Sequence, residues 1–102
     1  MQEVNTIEDY IELVEQALFE VKDLRMSAEY DVEEMGDALG FVDDLDRGVR
    51  ELLNALKDGT HRFGGDDLPF MAIVRQQSDL VLPFKGLLRD INNAHRKGLS
   101  QT

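Results

Sequence analysis

Apolar residues recur along the chain at the spacing of one face of an α-helix. The first set follows the i, i+3, i+4, i+7 pattern of an amphipathic helix. It consists of Ile7, Tyr10, Ile11, Val14, Ala17, Leu18, Val21 and Leu24. Thr6 precedes the set as a predicted N-cap, and Glu8 and Asp9 fall in the first turn, where the helix dipole favours negative charge. The sequence therefore predicts a first helix that begins after Thr6.

A second set of apolar residues predicts a second helix that ends near residue 58. It consists of Met35, Ala38, Leu39, Val42, Leu45, Val49, Leu52, Leu53 and Leu56. Gly59 follows Lys57 and Asp58 at the position where glycine commonly ends a helix.

The junction between these two sets leaves open whether residues 6–57 form one helix or two. No glycine or proline lies between the sets, and apolar residues occupy every seventh position from Ile7 to Leu56. A single helix of about 50 residues would be about 75 Å long. Ser27, followed by several acidic residues, resembles a fresh helix start, and Asp31 interrupts the apolar pattern. We therefore expect a bend or short turn within residues 26–31.

A loop at residues 59–67 precedes a third apolar set. Asp66 or Asp67 is predicted to cap the next helix, with Pro69 in its first turn. Pro83 should kink that helix or split it in two, because proline removes a helix hydrogen bond. Gly98 is expected to end it. The set consists of Leu68, Phe70, Ile73, Val74, Leu80, Val81, Phe84, Leu87, Leu88, Ile91 and Ala94.

Three apolar stripes that face inward predict an all-α antiparallel three-helix bundle, or four helices if the third is split at Pro83. We expect a single domain over residues 1–102, an elongated hairpin with coiled-coil-like packing. Because such a hairpin has a thin core, a homodimer is expected.

Composition and charge exclude several classes of function. The 102 residues include no cysteine, so a disulfide framework, a thiolate zinc site and a cysteine nucleophile are excluded. The acidic start is unlike a signal peptide, and no apolar run is long enough to cross a membrane, so we expect a cytoplasmic protein. Residues 1–58 carry 17 acidic and 5 basic side chains, which disfavours direct binding to nucleic acid. Residues 59–102 carry 4 acidic and 6 basic side chains.

Glycines and phenylalanines outside the apolar stripes predict an interaction surface. The candidate residues are Phe19, Gly36, Gly40, Phe41 and Phe63. Glycine inside a helix lowers helix stability, so it often reflects close approach of another helix, and aromatic side chains contribute strongly to interfaces. With no catalytic motif present, the sequence favours a non-catalytic protein–protein interaction module, a small adaptor or regulator without a cofactor. A protein partner or a second copy is its expected partner.

Two pairs of carboxylates support an alternative function. Glu12 with Glu15, and Glu34 with Asp37, each lie one helical turn apart, so four oxygen ligands could be offered to Mg²⁺. The stretch 11–41, with these pairs and the run VEEMGDAL, resembles the MazG-type all-α nucleotide pyrophosphohydrolases. The resemblance implies magnesium at these carboxylates and a divergent or degenerate enzyme of that type, although Ile11 stands where the family has a glutamate.

Two further readings concern the net charge and the histidines. The net charge of −10 leaves open an inhibitor that mimics nucleic acid. His61 and His95 are the only histidines, and they are too far apart in the sequence to predict a metal site. We expect His95 to serve as one of the cations at a helix end.

Overall fold

The computed structural model describes residue 4, residues 6–31, residue 33 and residues 39–99. These described residues form four α-helices and no strand. They are α1 (Ile7–Tyr30), α2 (Leu39–Asp58), α3 (Met71–Gln76) and α4 (Lys85–Lys97). The all-α class and the helical bundle are therefore confirmed, with the third predicted helix split in two. The chain is elongated, measuring 49 × 22 × 22 Å.

The ends of α1 are set by backbone hydrogen bonds. The Thr6 hydroxyl accepts a hydrogen bond of 3.1 Å from the Asp9 amide, which confirms the predicted N-cap. The helix continues to Tyr30, and the Asp31 amide donates to the Ser27 carbonyl at 3.0 Å. The chain therefore leaves the helix at Asp31, within the predicted range of residues 26–31, but the new helix start predicted at Ser27 is wrong. Ala28 is fully buried, so this last turn is held by packing.

α1 and α2 are separate helices that run antiparallel. Lys57 of α2 pairs with Glu15 of α1 at 3.4 Å, whereas Arg25 of α1 pairs with Asp43. Residues late in α1 thus lie beside residues early in α2. Asp46 is buried, and Arg25 lies 3.6 Å from its carboxylate. Because removing a carboxylate from water costs free energy unless it is paired, these contacts help fix the register of the hairpin.

The chain reaches α3 without the predicted acidic cap. α3 begins at Met71, after Pro69, and its N-cap residue Phe70 makes no side-chain capping bond. The prediction that Asp66 or Asp67 caps this helix with Pro69 in the first turn is therefore wrong. The Asp67 carboxylate instead accepts a hydrogen bond from the Asn92 side chain on α4.

The segment between α3 and α4 contains Pro83, as predicted for a split helix. α3 ends at Gln76, well before the proline. Leu80, expected in the core, is 96% exposed, whereas Leu82 is fully buried. The helical spacing therefore does not hold across this segment.

The core lies where α1 meets α2 and α4. The Tyr10 hydroxyl donates to the Ile91 carbonyl at 2.8 Å, joining α1 to α4. Leu13, absent from the predicted stripe, is almost fully buried, whereas Ile7, at its start, is exposed. Over the part of the chain that the structure describes, no helix is long and apolar enough to cross a membrane.

Candidate functional site

The predicted interaction residues that the structure describes do not form one surface. Phe19 is 60% exposed, as expected, but Phe41 is only 8% exposed and belongs to the core. Phe63 is half-buried and its ring lies 5.5 Å from that of Tyr10. The prediction that Phe41 lies outside the buried face is therefore wrong. α2 buries the adjacent residues Phe41 and Val42 together, so its buried face is broader than the predicted apolar stripe.

The described glycine of the predicted interaction surface, Gly40, is not a point of close packing. A side chain added at Gly40 would meet nothing within 4 Å, so no other backbone in the described part of the chain approaches closely there. Gly36 lies outside the described residues. The close approach occurs at Gly48, where an added Cβ would lie 3.0 Å from the Cβ of Phe70. Gly48 therefore has the packing role that the sequence suggested for the other two glycines.

A stripe of exposed apolar side chains runs along the outer side of α1. Phe19, Met26 and Tyr30 are 60%, 68% and 95% exposed. Their spacing of i, i+7 and i+11 places them within about 40° of one another around the helix, at about 100° per residue. On the opposite side of α1, Tyr10 and Ala28 are fully buried. We call Phe19, Met26 and Tyr30 the outer stripe.

Acidic side chains surround the outer stripe. Glu8, Glu12, Glu15 and Asp23 are all exposed and lie on the same half of α1 by helical spacing. Only Lys22 adds a positive charge among the exposed residues beside the stripe on that half. The surroundings of the stripe are therefore strongly negative.

The magnesium alternative depends partly on residues that lie outside the described ranges. Glu12 and Glu15 are exposed on α1, and Glu15 pairs with Lys57. Glu34 and Asp37 lie outside the described residues. Among the described residues, no three histidine, aspartate or glutamate side chains come close enough together to hold a metal ion. The four-carboxylate cluster remains a prediction.

The two histidines meet, although they lie 34 positions apart in the chain. Nε2 of His61 lies 3.0 Å from Nδ1 of His95, and one nitrogen donates while the other accepts. The Phe63 ring stands edge-on to His61, with 4.8 Å between the ring centroids. Burial, together with the neighbouring His95, lowers the pKa of His61. Burial raises the pKa of Tyr10, so the hydroxyl keeps its proton for the bond to Ile91.

Beside the histidine pair lies a mostly apolar cavity of about 260 Å³. Leu52 and Ala55 of α2 form one wall, and Leu68 and Phe70 form another. His61 and His95 lie at its edge, so the cavity offers apolar walls and a hydrogen-bonding end. No sequence signal pointed to it, because its walls come from segments far apart in the chain.

A second cleft, between α3 and α4, is polar and basic. It has a volume of about 250 Å³. Its basic lining residues are Arg75, Lys85, Arg89 and Arg96, and Asp67 is the one acidic residue in the lining. The pKa of Asp67 is lowered, first by the hydrogen bond from Asn92 and then by Arg75.

Sequence reasoning missed Met26 and Tyr30, although a signal for them was present. Both lie at helical spacing from Phe19, but the expected bend at residues 26–31 placed them outside the helix. The basic cleft had a weaker signal, the excess of basic over acidic side chains in residues 59–102, which does not indicate which of them share a face.

Comparison of the chain with protein-family models, with curated proteins and with solved structures gives no match.

Proposed function

We propose that this protein is a non-catalytic interaction module, a small cytoplasmic adaptor or regulator that binds a basic amphipathic helix of another protein. The observation that supports the proposal is the outer stripe. α1 already buries one apolar face in the core, and Phe19, Met26 and Tyr30 form a second apolar face on the opposite side. Packing within this bundle does not require that second face.

The outer stripe has the geometry of helix-to-helix recognition. Residues spaced by one, two and three helical turns contact a partner helix through one continuous face. Burying a Phe or Met side chain stabilises a complex by about 1.5–3 kcal/mol before the costs of association are subtracted. Three such side chains contribute about 4.5–9 kcal/mol, which is of the same order as the cost of association, so the proposal also relies on charge attraction to the partner.

The charges around the outer stripe favour a basic partner over a second copy. Glu8, Glu12 and Asp23 would attract lysine or arginine side chains that flank the apolar face of a partner helix. Two copies paired through α1 would instead place acidic side chains near one another, in a protein of net charge −10. The homodimer expected from the thin core is thus the competing outcome of the test.

A selection experiment tests the proposal without knowledge of the natural partner. A displayed library of helical peptides is selected against the full chain, and the affinity of the winners is measured by isothermal titration calorimetry. We expect peptides with an apolar stripe and basic flanks, bound more weakly at high salt because screening reduces charge attraction. The double variant Phe19→Ala with Met26→Ala should weaken binding at least about tenfold, which corresponds to about 1.4 kcal/mol.

Leu80→Ala is the matched control, because Leu80 is a large exposed apolar residue outside α1. Its affinity for the selected peptides should equal that of the unmodified chain. The proposal would be contradicted if the selected peptides were acidic. It would also be contradicted if Leu80→Ala lost as much affinity as the double variant Phe19→Ala with Met26→Ala. If analytical ultracentrifugation shows that the unmodified chain is a dimer and the α1 variant a monomer, the partner of the outer stripe is a second copy of the chain and not a basic helix.

A further inference from the structure

The basic cleft between α3 and α4 gathers positive charge from two helices. Lys85, Arg89 and Arg96 lie at i, i+4 and i+11 on α4, so they share one side of that helix. Arg75 comes from α3 on the opposite wall. Four basic side chains and one acidic side chain thus line a single cleft of about 250 Å³, on a protein whose net charge is −10.

The internal contacts of the cleft leave part of this charge unneutralised. Asp67 forms an ion pair with Arg75, and its Oδ1 lies 3.5 Å from Nη1 of Arg96. Lys85 donates from Nζ to the carbonyl of Gln77 at 2.5 Å. Arg89 makes no ion pair or hydrogen bond with any residue in the described part of the chain. A single carboxylate is therefore available to neutralise the four cations that line the cleft.

Asp67 shows which chemistry the cleft accepts. Its Oδ1 receives a hydrogen bond of 2.9 Å from the Asn92 side chain, and its two oxygens together contact two guanidinium groups. Each guanidinium carries five N–H donors in a plane, of which a single carboxylate engages few. An incoming oxyanion would find the same donors, together with the free guanidinium of Arg89.

We propose that this cleft binds a phosphate group, carried by inorganic phosphate or by a small phosphate monoester. A phosphate group carries about 1.5 to 2 negative charges at neutral pH and three strong acceptor oxygens, and it matches arginine in paired hydrogen bonds. The cleft is smaller than the pockets of about 300–1,000 Å³ that hold drug-sized ligands. Its size therefore suits a compact phosphate compound better than a nucleotide.

Asp67 acts in this site as a built-in competitor of the ligand. It occupies donors of Arg75 and Arg96 that the phosphate group would use. An asparagine side chain at position 67 can still accept the hydrogen bond from Asn92 but carries no charge. Asp67→Asn should therefore bind phosphate more tightly than the unmodified chain, whereas a purely structural ion-pair network predicts no phosphate binding in either protein.

The test is a titration of the ¹⁵N-labelled full chain with inorganic phosphate and, separately, with glycerol 3-phosphate, followed by NMR at constant ionic strength. We expect saturable shifts centred on α4 for at least one of the two probes. Shifts with inorganic phosphate would identify the free ion as a ligand of the cleft. Shifts with glycerol 3-phosphate alone would identify a phosphate monoester as the ligand. No saturable shift with either probe overturns the proposal.

Two arginine variants provide a matched comparison. Arg89→Gln should weaken binding about tenfold, because a charge-assisted hydrogen bond is lost. Arg62→Gln removes the same charge from an exposed loop residue that also has no partner within the described ranges, and it should leave the affinity unchanged. Equal weakening by both variants would show nonspecific attraction and overturn the site.

Asp67→Asn completes the comparison, with its fold checked by circular dichroism. About tenfold tighter binding supports the competitor role of Asp67. Unchanged or weaker binding in a folded Asp67→Asn protein overturns that role. If this variant does not fold, the two arginine variants decide the proposal alone.

Discussion

Phe19 and Phe41 show how far sequence position determines environment at the scale of one residue. Both flank a predicted apolar stripe, and both were predicted to be surface residues. Phe19 lies on the outer side of α1, but Phe41 is buried because α2 packs through a broad apolar face. The width of a buried face depends on how many neighbours a helix has, and the pattern within one helix does not encode that number.

Phe41→Ala should destabilise the fold, contrary to its predicted role in association alone. Truncating a buried phenylalanine leaves a cavity and removes contacts, at a cost of about 3–5 kcal/mol. Phe19→Ala should change the free energy of unfolding by less than about 0.5 kcal/mol, since surface substitutions usually do. Urea denaturation of both variants measures the difference, and equal stability would show that the two faces are wrongly assigned.

Gly48→Ala should lower stability even though alanine is the better helix former. The added Cβ would lie 3.0 Å from the Cβ of Phe70, which is fixed to the backbone and can move little. Overpacking costs about 1–3 kcal/mol, against a gain in helix propensity of about 1 kcal/mol. Gly40→Ala, which adds a Cβ into open space, should be neutral or stabilising in the same thermal melts. Stabilisation by Gly48→Ala would contradict the packing described here.

His61 should make stability depend on pH. Its pKa is lowered in the folded state, so the unfolded chain binds more protons once the pH falls below about 6.5. The melting temperature should therefore fall as the pH is lowered from 8 to about 5.5. His61→Gln should flatten this slope. The carboxylate of Asp67 has a lowered pKa as well, so its contribution is lost only in more acidic solution, as the pH falls through that folded-state pKa. An identical slope in both proteins would exclude this role of His61.

At the scale of elements, the sequence predicted the helices well and their ends less well. Thr6 caps α1 as expected, because a cap is a local signal that one side chain provides. The end of α1 at Tyr30 lies within the predicted range of residues 26–31, next to Asp31, but the predicted start of a new helix at Ser27 was wrong because burial of Ala28 holds the last turn of α1. Asp67 failed as a cap for a similar reason: its partners Asn92 and Arg96 lie on α4, far away in the sequence.

The interface between α1 and α2 should not tolerate a buried charge. Val42 is fully buried in α2. Val42→Asp would place an unpaired carboxylate there, at a cost of about 4 kcal/mol or more, comparable with the whole stability of many domains. Asn54→Asp introduces a carboxylate at an exposed position on the same helix and should leave the circular dichroism spectrum and melting temperature nearly unchanged. A folded Val42→Asp protein would contradict the assigned core.

At the scale of the whole molecule, the acidic surface that carries the outer stripe is separate from the basic cleft. The outer stripe lies among acidic residues on α1, whereas the basic cleft lies between α3 and α4. The charge counts predicted that residues 1–58 are acidic and that residues 59–102 are mildly basic, and helical periodicity predicted the bundle. The cleft and the histidine pair were not predictable, because both form only when the last helix folds back onto distant segments.

NMR chemical-shift mapping of a selected basic helix on the ¹⁵N-labelled chain tests the central claim most directly. The account predicts that the largest changes centre on Phe19, Met26 and Tyr30, with little change at Arg89. It would be contradicted by changes that centre on the cleft between α3 and α4, or on the cavity beside His61, while the outer stripe stays unperturbed.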